Sequence, residues 1–83
     1  MKERILIIED EPAIRSILSE LLTDAGYTIE AAKDGLEGIT KFRRQAFSLV
    51  LLDILMPKID GYTVCEMMRQ ESDVPVIILT ALD

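Results

Sequence analysis

The sequence predicts an α/β fold in three layers, a parallel sheet with helices on both faces. Three observations predict it. Short continuous apolar runs, as expected of strands covered on both faces, occur at Ile5–Ile8, Leu49–Leu52 and Val76–Leu79. Between them, apolar residues recur at helical spacing. The two patterns alternate without a break, and strand–helix–strand repetition implies parallel strands joined by right-handed crossovers.

Taken in order, Ile5-Leu6-Ile7-Ile8 is the first strand and stops at Glu9-Asp10-Glu11. Pro12 follows, well placed for the first turn of a helix. Ile14, Ile17, Leu18, Leu21, Leu22 and Ala25 then recur at helical spacing, and Gly26 supplies the stop. Tyr27-Thr28-Ile29-Glu30-Ala31 alternates in polarity and reads as an edge strand. The Asp34-Gly35 pair marks a turn, after which Leu36, Ile39, Phe42 and Arg43 line a second helix that fades near Gln45. Leu49-Val50-Leu51-Leu52 is the next buried strand and ends on Asp53. Beyond the Met56-Pro57 and Asp60-Gly61 turns, Tyr62, Cys65, Met68 and Arg69 suggest a third helix. Pro75 closes its exit, and Val76-Ile77-Ile78-Leu79-Thr80 is the fourth strand.

The polar second strand belongs at an edge beside the first; the third lies on the first strand's other side, and the fourth beyond it. This is the flavodoxin-like order 2-1-3-4. In that order the last strand sits at an edge although it reads as a central one, and the first helix stands alone on its face. The pattern therefore predicts that a fifth strand and the last helices are absent from residues 1–83, a partial domain.

With 83 residues the chain suffices for one small domain. It is 49% apolar and 29% charged, the balance of a globular protein. A net charge of −6 argues against non-specific binding to nucleic acid or an anionic membrane, while suiting a site that collects cations. The four apolar residues after Arg4 are too few for a signal peptide, and no segment has transmembrane length. The single cysteine, Cys65, has no internal disulfide partner and no histidine to join it at a metal. A cytoplasmic location is the expectation.

In an open parallel sheet, ligands bind beyond the carboxyl ends of the strands where strand order reverses. Here that point lies between the first strand, ending at Glu9-Asp10, and the third, ending at Asp53. One acid at a strand end is usually a solvated or capping residue; three at two adjacent strand ends are harder to dismiss. Such acids repel one another unless a cation neutralises them. Mg²⁺ suits them, since it takes one or two carboxylates and keeps its other positions for water and phosphate oxygens. Thr80, at the end of the fourth strand, adds a hydroxyl able to donate to a phosphoryl oxygen. Lys58 reads as solvated, Cys65 as a small helix residue packed on the sheet, and Glu37, Lys41, Arg43 and Arg44 as a charged outer face.

Three segments carry a family resemblance: Ile7-Ile8-Glu9-Asp10-Glu11-Pro12, Leu51-Leu52-Asp53-Ile54-Leu55-Met56-Pro57-Lys58-Ile59-Asp60-Gly61, and Pro75-Val76-Ile77-Ile78-Leu79-Thr80-Ala81. In this order they resemble the signatures of receiver domains of bacterial two-component response regulators. The resemblance implies that Asp53 is the phosphoacceptor, taking a phosphoryl group from a phosphohistidine on a sensor histidine kinase. It implies that Asp10 is a direct Mg²⁺ ligand, that Glu9 acts through water, and that the backbone carbonyl of Leu55 is a third contact. It makes Thr80 the switch hydroxyl and Ala81 the small residue that leaves the phosphoryl oxygens room. Positioning and charge neutralisation carry most of phosphoryl transfer, so little other machinery is needed.

The family's fifth-strand lysine and aromatic lie outside this chain, and Lys58 is not that lysine. The resemblance further implies an output domain beyond this chain, most like a winged-helix DNA-binding domain, so that transcription would be the regulated activity. The receiver itself would touch neither nucleic acid nor membrane. An aspartyl-phosphate phosphatase or phosphotransferase would place a second Asp two residues after the nucleophile, where Leu55 stands, so an enzyme is not expected. A dinucleotide-binding enzyme lacks its glycine-rich turn after the first strand. The remaining alternative is a phosphorylation-incompetent fragment that only associates, through its exposed fourth-strand edge and uncovered sheet face, into a homo-oligomer or strand-swapped assembly.

Overall fold

The computed structural model describes residues 3–54, 56 and 60–79. Four strands, β1 (Arg4–Ile8), β2 (Thr28–Ala32), β3 (Leu49–Asp53) and β4 (Val76–Leu79), alternate with three helices, α1 (Pro12–Asp24), α2 (Gly35–Arg44) and α3 (Gly61–Glu71). All strand pairs are parallel, and the order is β2-β1-β3-β4, the flavodoxin-like arrangement expected.

The pleat sends alternate residues of each strand to opposite faces. Leu6, Ile8, Ala32, Val50 and Leu52 meet Ile39 of α2 and Val64 and Met68 of α3 in the larger core, with Cys65 packed against it. Ile5, Ile7 and Leu51 point the other way, toward Leu18 and Leu22 of α1. One helix is too narrow for four strands, so α1 packs on β1 and β2 and buries none of its own residues fully.

Local chemistry fixes the helix ends. Pro12 opens α1. At its other end Gly26 adopts φ of 103°, while the Gly26 N–H donates to Thr23 O and the Tyr27 N–H to Leu22 O, both near 3 Å. That pair of bonds is a Schellman closure, which needs the left-handed region that glycine enters without penalty. Asp34 caps α2 by accepting from the Glu37 N–H at 2.8 Å, and Glu37 in turn accepts from the Lys33 N–H at 3.0 Å.

Several expectations need correction. The strand after Gly26 runs from Thr28 to Ala32, leaving Tyr27 in the turn. Tyr62 is 69% exposed, and the inward stripe of α3 is Gly61, Val64 and Met68. Leu36, expected to line α2, is exposed as well. Lys41 is not on a solvated face: its Nζ donates to Ala31 O at 2.7 Å and lies 3.6 Å from Glu30. Asp60-Gly61 is more than a turn, because Asp60 caps α3 through the Thr63 N–H at 2.9 Å. Arg43 is indeed on an outer face, where its guanidinium meets Glu71 across α2 and α3. That pair raises the Arg43 pKa and lowers that of Glu71 by their mutual hydrogen bonds. Both side chains are solvent-exposed, so Arg43→Ala is expected to leave the melting temperature almost unchanged, as thermal unfolding will show.

Candidate functional site

Register delivers the acids. Ile8 pairs with Leu52, so the next residues, Glu9 just beyond β1 and Asp53 at the end of β3, stand at the same height on neighbouring strands. The Glu9 N–H extends the β1–β2 ladder by donating to Ala32 O at 3.1 Å. The turn that follows carries Asp10 into solvent. One carboxylate oxygen from each of Glu9, Asp10 and Asp53 lies within 4.8 Å of the others.

Glu9 is 4% exposed and Asp53 7%, so two of these carboxyls sit beneath the surface. Burial, then the hydrogen bond and negative charge of Asp53, raise the Glu9 pKa from 4.5 to about 7, with a smaller push from Asp10. The Glu11 N–H, 3.4 Å from Glu9 Oε2, opposes the shift only in part. A cluster whose buried member holds its proton to neutral pH carries more negative charge than its own donors satisfy. Three carboxylate oxygens at this spacing suit a small hard cation that keeps positions for other oxygen ligands, and Mg²⁺ fits that description.

On the β3 side, Gly61 lets α3 begin directly against the strand exit. Its N–H donates to Ile54 O at 3.1 Å. A Cβ there would stand 2.2 Å from Ile54 Cα and 2.7 Å from Asp53 O, both backbone atoms.

The structure thus brings Glu9, Asp10 and Asp53 together as the sequence led us to expect. Leu55, Thr80, Ala81 and Lys58, also named from the sequence, lie outside the described residues. Two contributors were not foreseen. Gly61 reads in sequence as half of a turn signal. Arg15, one turn into α1, reaches back to donate to Glu9 O at 2.8 Å; because its acceptor is a backbone carbonyl, no acidic partner in the sequence announces the contact.

Among the described residues, no helix is long and apolar enough to cross a membrane. The family profile described as the response regulator receiver domain matches residues 5–83. A probable transcriptional regulator, ycf27, from Pyropia yezoensis is 53% identical over 81 residues, covering 98% of this chain and 33% of that protein. The chain therefore spans about a third of the length of the curated relatives it matches. Among solved structures, the response regulator TrrA of Thermotoga maritima in complex with Mg²⁺-BeF superposes with a TM-score of 0.91 at 41% identity, over 98% of this chain and 71% of that one. TrrA in complex with the histidine kinase ThkA gives a TM-score of 0.91 at 43% identity, with the same coverage of both chains. Fold, strand-end acids and these matches agree, and the chain belongs to the family of response regulator receiver domains.

Proposed function

We propose that this receiver accepts a phosphoryl group on Asp53 from a phosphohistidine of a sensor histidine kinase. The observation that carries the reading is the convergence of Glu9, Asp10 and Asp53 within 4.8 Å where the strand order reverses. A carboxylate oxygen of Asp53 attacks phosphorus; the P–N bond breaks, and its electron pair leaves with the imidazole, which stays on the kinase. Asp10, Asp53 and the backbone carbonyl of Leu55 would hold a Mg²⁺ ion, with Glu9 acting through water, and the ion would supply charge neutralisation for the phosphoryl oxygens. Thr80 donates its hydroxyl to the phosphoryl group and carries the switch, and Ala81 leaves space beside it. The TrrA complexes with Mg²⁺-BeF and with ThkA support both the metal and the kinase as partners.

The output lies in a domain outside residues 1–83. The names of the ycf27 relatives, probable transcriptional regulators, support transcription as the regulated activity. The receiver works in the cytoplasm, touches neither DNA nor membrane, and catalyses no turnover of its own.

The test is intact-mass spectrometry after incubation with Mg²⁺ and a small acyl-phosphate donor. A single phosphoryl adduct is expected, absent without Mg²⁺ and absent from Asp53→Asn. An adduct that persists in Asp53→Asn would overturn the assignment.

A second reading, association without phosphorylation, is favoured by one set of side chains. Ile14, Ile17 and Leu21 on α1 and Ile77 on β4 are 45–62% exposed on the half-covered face. In this reading copies pair through the β4 edge or exchange strands. Light scattering decides it: a monodisperse monomer that melts cooperatively removes the reading.

A further inference from the structure

Resting on the metal site just proposed, the geometry points to Arg15 as a positioning residue for it. Arg15 holds the Glu9–Asp10 turn in the shape that aims both carboxylates at the cation. It touches neither the cation nor a carboxylate.

The Glu9 N–H is the last contribution of this strand to the β1–β2 ladder, donating to Ala32 O. Its carbonyl accepts instead from Arg15 Nη1 at 2.8 Å, and the same nitrogen approaches Asp10 O at 3.5 Å. The Glu11 N–H lies 3.4 Å from Glu9 Oε2. The peptide plane between Glu9 and Asp10 is thus held at its oxygen, and that plane sets the direction in which each side chain departs. Little else ties this turn to α1. Glu11, the residue before the helix, makes no side-chain capping bond, and no residue of α1 is fully buried. Arg15 itself is anchored by its own N–H to Glu11 O at 3.0 Å and by its carbonyl, which accepts from Ser19 Oγ at 2.8 Å. The guanidinium is therefore a strut from the first turn of α1 to the strand exit, ending on main-chain oxygens.

Charge and position predict opposite signs, which makes the role testable. Arg15 carries a positive charge beside a cation site, so on Coulomb grounds alone its removal would tighten Mg²⁺ binding. If Arg15 positions the acids, its removal must weaken binding despite the lost repulsion. Outer residues that orient metal ligands typically contribute about tenfold or more in affinity.

The experiment is calorimetric titration of the full chain with Mg²⁺ alone, on wild type, Arg15→Met, Arg15→Lys and Asp10→Asn, with thermal melts of each. Arg15→Met is expected to weaken Mg²⁺ at least about tenfold. Arg15→Lys, which retains charge and one donor for Glu9 O, recovers most of the loss. In Mg²⁺-free protein, the amide resonance of Asp10, bonded to the carbonyl that Arg15 holds, shifts in Arg15→Met and returns toward wild type in Arg15→Lys. Unchanged or tighter Mg²⁺ binding by a folded Arg15→Met overturns the positioning role alone. Wild-type binding that is absent, or indifferent to Asp10→Asn, overturns the metal site and this role with it.

Discussion

Mg²⁺ affinity is expected to fall about a hundredfold between pH 8 and pH 5, because Glu9 must lose its proton before the cation can enter. With a pKa near 7, Glu9 is ionised at the upper pH and almost fully protonated at the lower one. Without Mg²⁺, stability runs the other way. The folded state holds a proton on Glu9 that the unfolded chain releases near 4.5, so the native state binds more protons between those values. Stability from this group is therefore fully present below about pH 4.5 and is lost as pH rises through about 7, in total on the order of 2 kcal/mol after discounting for water at the cluster. Saturating Mg²⁺ reverses the slope. Glu9→Gln keeps the hydrogen-bonding shape without the charge, so it should flatten both dependences and melt above wild type at pH 8 in chelator. Melting curves at several pH values, with and without Mg²⁺, check all of this together.

The second large effect is expected at Gly61. In Gly61→Ala the new methyl would overlap Ile54 Cα and Asp53 O, and neither can rotate aside as a side chain would. Either α3 moves off the sheet or the acceptor strand's exit is displaced, at a cost of about 3 kcal/mol. For a domain of this size that lowers the melting temperature by roughly 10–20 °C. Phosphoryl uptake should fall further than stability alone dictates, since the displaced backbone carries Asp53. Uptake measured at a temperature where the variant is fully folded separates the two effects. Normal uptake under those conditions would show that the close approach shapes the helix start and not the site.

Much of this was legible in the residues, for identifiable reasons. Continuous apolar runs and 3.6-residue spacing are read by period, and the acids stand out because Glu9, Asp10 and Asp53 interrupt strand ends where charge is costly. Strand order followed from connection rules and from the polar alternation of β2. What stayed hidden depends on distances across the fold. Val64 displaces Tyr62 from the inward face of α3 because Gly61 sets how the helix starts against Ile54. Lys41 turns inward because the carbonyl of Ala31, at a strand edge, offers an acceptor with no side-chain signature. Arg15 escaped notice for the same reason. Leu55 and Thr80, whose roles come from the family resemblance, lie outside the described residues.

The shallow seating of α1 has a consequence for motion. An element that buries no residue fully is the first to open, and its amides should exchange with solvent sooner than those of β1 or β3. Arg15 travels with it. Each opening of α1 withdraws the donor from Glu9 O and slackens the turn that aims the acids. Metal binding and α1 closure are then linked in one cycle, and a cation bound at the strand ends slows amide exchange along a helix it never touches.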